Sequence, residues 1–156
     1  METPLDRIDL EILDELQKNA RIQNNQLAGI VGVAESTCLE RVRRLESAGV
    51  IRGTHADVDG RYLGANLEAA VHVKLARHTR KSVETFQKAM LSVPQVLAVY
   101  HLTGSHDFML HVAVQSSEHL RAFAMDGITS RPEVVHIETH LIFRYTRNPV
   151  HPQYLD

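Results

Sequence analysis

The chain has 156 residues, 44% hydrophobic and 23% charged, a balance that marks a globular protein with chain enough for one large domain or two small ones. A net charge of -2 gives no global basic signal for nucleic acid, so any such partner must meet a local patch. The single cysteine, Cys38, excludes an internal disulfide framework, and the apolar runs are too short to cross a bilayer.

The start, "METPLDRIDLEIL", has acids where a secretory signal needs positive charge and then an apolar run. The expected location is the cytoplasm, with no membrane partner. In "PLDRIDLEILDELQKNA", Leu5, Ile8, Ile12 and Leu16 recur at helical spacing, with Leu13 widening the stripe. The opposite, solvated face is expected to hold Asp6, Asp9, Glu11, Asp14 and Glu15. "NNQLAGIVG" reads as a second, short helix capped by Asn24 or Asn25, with Leu27 and Val31 inward and Gly32 ending it. A third helix follows in "AESTCLERVRRLESAGV", where Cys38, Val42 and Leu45 form one buried stripe and Gly49 is the stop. Residues 53–66 read as a linker with one short strand.

From Leu67 the period changes to two. Val71, Val73 and Leu75 alternate with His72 and Lys74, and "VLAVYHL", "FMLHVAV" and "VVHIETHLIF" are three more strand-like runs. A helix pattern with Val83, Phe86 and Met90, started by Thr79 or Ser82, separates the first two strands. Another, with Leu120, Phe123, Ala124 and Ile128, started by Ser116 or Ser117, separates the last two. The order β-α-β-β-α-β is the ferredoxin-like split βαβ arrangement, so the fold class is α+β. The middle strands flank "TGSHD" and should pair as a hairpin. Alternation puts Val96, Ala98, Tyr100 and Leu102 on one face and Leu97 and Val99 on the other. One face needs the helices, and the other is free for a second sheet, which favours dimerisation. The tail, "RNPVHPQYLD", reads as irregular.

Two short helices, a tight turn at "VGVA" and a third helix fit a helix-turn-helix, with Ala28 and Gly32 small where the helices approach. The outer side of the third helix carries Ser36, Thr37, Glu40, Arg43, Arg44 and Ser47, with Arg41 on its flank. Short polar residues near a helix start can reach base edges, and arginines further along can reach phosphates or guanine. From Ser36 to Gly53 there are four arginines against two acids. The same pattern also suits a small bundle with a solvated charged face.

"QNNQLAGIVGVAEST" followed by "CLERVRRLESAGVI" resembles the helix-turn-helix of the Lrp/AsnC (leucine-responsive, feast/famine) family, and "LTGSHDFMLHV" resembles that family's G-x-x-D hairpin, with Gly104 and Asp107 at the matching positions. The resemblance spans Leu5 to Phe143. It implies a sequence-specific DNA-binding transcriptional regulator that dimerises, assembles to an octamer and responds to an amino acid. Residues 1–66 would then form a winged-helix-like DNA-binding domain and linker, residues 67–146 the effector-binding and oligomerisation domain, and residues 147–156 a tail. The candidate DNA contacts are Ser36, Thr37, Glu40, Arg41, Arg43 and Arg44. One departure is Ala34, where the family commonly has serine. Alanine cannot cap, at a cost of about 1 kcal/mol unless Ser36 or Thr37 substitutes, and Thr37 with Glu40 has capping-box spacing.

Around the hairpin, N–H groups near Gly104, Ser105 and His106 could form a nest for a carboxylate, and Asp107 could pair with an ammonium, together complementing a free amino acid. A plain turn, with Asp107 bonding its own backbone, is the competing reading. The resemblance places the ligand between dimers, so the candidate effector set is Tyr100, Thr103, Gly104, Ser105, His106 and Asp107, with Glu138, Thr139 and His140 from the last strand. No metal cofactor is expected. His101, His106 and His111 fall on alternating faces, although His136 and His140 share one. These histidines read as lining the outer sheet face or a subunit contact. Cys38 reads as a small buried hydrophobe. No catalytic pattern emerges, since Ser105, His106 and Asp107 are consecutive and no separate nucleophile stands out. Two alternatives remain open from the residues alone: a ligand-binding or assembly module without DNA binding, and a small enzyme.

Overall fold

A computed structural model describes residues 5–154. The first four residues and the last two, on which the readings of the N-terminus and the tail partly rest, lie outside the described residues. The chain forms two compact units, one spanning Val58–Tyr145 and the other built from the residues up to Asp57 together with the segment from Thr146.

In the first unit, α1 runs Arg7–Lys18, α2 Asn24–Val31 and α3 Glu35–Ser47. Asp6 caps α1 in a reciprocal box with Asp9, each side chain accepting from the other's backbone N–H. Ile12, Leu27, Ala28, Val31, Cys38 and Leu45 form the core, with Ile8, Leu13, Leu16 and Val42 packed on it. The turn between α2 and α3 needs a left-handed residue, and Gly32 supplies it with φ 72°.

Three local expectations for this unit give way. Gln23, not an asparagine, precedes α2 and makes no side-chain cap. Asn24 lies just inside the helix, and its Nδ2 donates instead to the Glu35 carbonyl at 2.9 Å, tying the start of α2 to the start of α3. Ala34 takes the N-cap position of α3 without a side-chain bond, so Ser36 and Thr37 sit in the first turn with hydroxyls uncommitted to capping. Asp9 does not face water: it is 1% exposed, because α3 lays two arginines over it.

In the second unit, β1 is Leu67–Leu75, α4 Arg80–Leu91, β2 Val96–His101, β3 Phe108–Val114, α5 Ser117–Ala122 and β4 Val134–Ile142. Thr79 and Ser82 both start α4, as the two halves of a capping box, and Ser116 caps α5. Helix α5 runs on as a π-helical turn over Phe123–Thr129. The strands pair antiparallel in the order β2-β3-β1-β4, the predicted α+β ferredoxin-like arrangement. Residues 53–66 contain a 3-10 turn, Gly60–Leu63, where a short strand was expected.

Alternation builds the covered face from Ala69, Val71, Val73 and Leu75 of β1 and Phe108, Leu110, Val112 and Val114 of β3, packed on Val83, Phe86, Met90, Leu120, Phe123 and Ile128. β2 departs from strict alternation. Its pairing with β3 shifts between Val96 and Ala98, so Val96 joins Val99 on the covered face instead of sharing a face with Ala98 and Tyr100. An extra residue in one strand reverses the face of everything beyond it.

Candidate functional site

On α3, Ser36, Thr37, Glu40, Arg43 and Arg44 are exposed, and Arg41 is half-buried. The predicted outer face therefore exists, but its arginines differ. Arg41 bonds Asp6 at 2.7 Å and Asp9 at 2.8 Å through one nitrogen, and Arg44 bonds the other oxygen of Asp9. Burial pushes the Asp9 carboxyl up, but Arg44, the Asp6 N–H and Arg41 together hold it below its ordinary value. Asp9 thus clamps α3 to α1. Arg43 makes no ion pair among the described residues and turns its charge to solvent. Asp9, which positions α3, is the residue that periodicity missed. Its spacing of three from Asp6, the capping-box spacing, was the available signal.

In the second unit, the turn between β2 and β3 is closed by Leu102 N–H donating to the Asp107 carbonyl at 2.9 Å. Gly104 takes φ 114°, a conformation that favours glycine. Thr103, Gly104 and Ser105 are exposed, and the N–H groups from Thr103 to His106 have no acceptor among the described residues.

Asp107 is not the free charge that the motif suggests. It is 4% exposed, and its carboxylate accepts from Leu75 N–H at 2.8 Å, from Lys74 Nζ at 3.2 Å and from His78 Nδ1 at 2.9 Å. Burial raises its pKa, and these three partners, Leu75 foremost, outweigh that and lower it. The carboxylate is spent inside the unit, holding the turn against the end of β1.

The open face of the sheet gathers the other candidates. Across the strands, Tyr100 pairs with Met109, Met109 with His72 and His72 with Glu138, which makes one row. His140 and His136 flank Glu138 on β4. His106 folds back from the turn until its ring lies 5.3 Å from that of His72. Thr139 pairs with Val71 and so belongs to the helix-covered face, apart from Glu138 and His140. His136 foremost, with His106 and His140, holds the Glu138 carboxyl below its ordinary value. Burial, then His106 and His140, push the His72 imidazole down. His101 stays away, stacked on Phe108 and His78, and His111 bonds Glu68 at 2.8 Å. The three histidines spaced by five do not converge, as alternation predicts. His72 was not among the sequence candidates, because only pairing with β4 brings it there.

No helix among the described residues is long and apolar enough to cross a membrane. A model of the Lrp/AsnC ligand binding domain matches residues 68–149, and a winged helix-turn-helix DNA-binding model matches residues 5–52. The HTH-type transcriptional regulator AldR of Mycolicibacterium smegmatis is 43% identical over 143 residues, 92% of this chain and 84% of that protein. The leucine-responsive regulatory protein of Escherichia coli is 35% identical over 138 residues, 88% of this chain and 84% of that protein. The crystal structure of MtbAldR matches with a TM-score of 0.81 at 37% identity, covering 95% of this chain and 100% of the other. A transcriptional regulator from Neisseria meningitidis in complex with L-Met matches with a TM-score of 0.82 at 28% identity, covering 93% and 94%. The chain belongs to the Lrp/AsnC family: it is a helix-turn-helix transcriptional regulator that carries the family's ligand-binding domain.

Proposed function

We propose that the protein works in the cytoplasm, reads double-stranded operator DNA as a homodimer that assembles further to an octamer, and changes its activity or assembly when an amino acid binds. Ser36, Thr37 and Glu40 lead into the major groove, and Arg43 meets phosphate. Arg41 and Arg44, held by Asp9, set the seat of the reading helix and present what remains of their charge beside it. The amino acid's carboxylate is received by the N–H groups from Thr103 to His106, where Gly104 permits close approach. Tyr100, Glu138 and His140 line the adjoining open face. Asp107 holds the turn in shape and does not touch the ammonium.

The observation that carries this reading is an exposed turn whose N–H groups have no acceptor among the described residues, inside a domain of a ligand-binding family. The Neisseria meningitidis relative in complex with L-Met supports an amino acid as the ligand class. An enzymatic role finds less support. Ser105 Oγ bonds His106 Nδ1 at 3.1 Å, but Asp107 turns to Leu75, Lys74 and His78, so the three consecutive residues form no relay. The test is a thermal-shift screen against the twenty amino acids, followed by gel shift on the protein's own promoter with and without the hit. An amino acid at a hundred times its dissociation constant stabilises the protein by about 2.7 kcal/mol. No stabilisation by any of them would overturn the effector assignment, and no retarded complex would overturn the DNA assignment.

A further inference from the structure

Three side chains on the open sheet face bring ligating atoms within 4.8 Å of one another: His106 from the turn, and His136 and Glu138 from β4. Nε2 of His136 lies 3.4 Å and Nε2 of His106 3.6 Å from the same oxygen of Glu138. Nitrogen and oxygen ligands about 2.0–2.1 Å from a tetrahedral ion stand about 3.3–3.4 Å apart. The two imidazole–carboxylate distances are therefore close to those a bound ion would set. His140 Nε2 lies 3.8 Å from the other Glu138 oxygen and stands outside this set of three.

The surroundings are built in the same sense. A metal-binding histidine commonly spends its second nitrogen on a hydrogen bond that fixes the tautomer. His106 has that arrangement: Nδ1 lies 3.1 Å from Ser105 Oγ, and with the proton on Nδ1 the Nε2 lone pair faces Glu138. Beneath the cluster, His72 has a buried Nδ1 with no hydrogen-bond partner among the described residues, and its ring lies 5.3 Å from those of both His106 and His140. Two imidazoles and a carboxylate suit a borderline transition ion over magnesium or calcium, which prefer all-oxygen shells.

We propose that this face binds one divalent ion of the zinc class (Zn2+, Co2+ or Ni2+) through His106 Nε2, His136 Nε2 and the Glu138 carboxylate, with a water as the fourth ligand and Ser105 positioning His106. The proposal does not rest on the effector reading, although the two share residues, so it is tested with metal alone. The full-length protein is freed of metal with a chelator and titrated with Co2+ and Zn2+ by calorimetry and visible absorption, with no amino acid present. One ion binds per chain, and Co2+ gives the intense bands of a four-coordinate site. His106→Ala and His136→Ala each abolish that signal, Ser105→Ala weakens binding about tenfold, and His151→Ala, in the tail, leaves it unchanged. Glu138→Gln serves as a variant of nearly unchanged shape, and thermal melting shows that each variant is folded. Absence of saturable binding overturns the proposal. So do the weak bands of a six-coordinate ion alone, or binding that survives the loss of His106 and His136. A protein that binds Co2+ in this way but is stabilised by no amino acid refutes the effector reading and leaves the metal site standing.

Discussion

Asp107, at the end of the turn, accepts the backbone N–H of Leu75, at the end of β1, at 2.8 Å. A carboxylate so buried serves the fold before any ligand. Asp107→Ala leaves that N–H without its partner and Lys74 and His78 without their anion, at a cost of about 2 kcal/mol. Urea unfolding followed by circular dichroism should show a lower midpoint, and Asp107→Asn, which keeps one oxygen, should lose less. An unchanged midpoint would mean that the carboxylate is available to an outside partner after all.

Arg43 and Arg44 are neighbours in sequence but not in role. Arg43→Ala should leave thermal stability unchanged while weakening operator binding and reducing the slope of log affinity against log salt by about 1. Arg44→Ala should also lower stability, because it releases one oxygen of Asp9. Fluorescence anisotropy across a salt series, paired with melting curves, separates them. Identical salt slopes for wild type and Arg43→Ala would move the reading face elsewhere.

The Asp9 clamp predicts an acid response. Its folded pKa lies below the ordinary value of 3.8. Its contribution is therefore present above that value and is lost as pH falls below it, through the folded pKa. Asp9→Asn should cost about 2 kcal/mol at neutral pH and lose less on going to pH 3 than wild type does. Equal acid sensitivity in the two proteins would remove Asp9 as a source of it.

A dimer presents two reading helices related by a two-fold axis. The operator should then be a rough palindrome whose half-sites lie about one helical turn, or a multiple of it, apart. Hydroxyl-radical footprinting would reveal the spacing, and protection of one isolated, asymmetric half-site would contradict it.

Periodicity alone was enough for the architecture. Cys38, Val42 and Leu45 at helical spacing, and Val71, Val73 and Leu75 at a spacing of two, face their cores as read. This works because burial of apolar surface acts on each element through its own repeat. The resemblance of "LTGSHDFMLHV" likewise located the turn. Tertiary structure decided what the polar groups do. Asp9 meets Arg41 and Arg44 from 32 and 35 residues away, and Asp107 meets Leu75 from 32. His106 reaches Glu138 only because the hairpin folds its turn over a face to which β4 was added beside β1. A shift within β2 reassigned Val96 without any mark in its hydrophobicity. Hydrophobic burial is non-directional and tolerant, so a pattern suffices to predict it. A hydrogen bond or an ion pair needs one partner at one distance, and the chain supplies that partner only after it has folded.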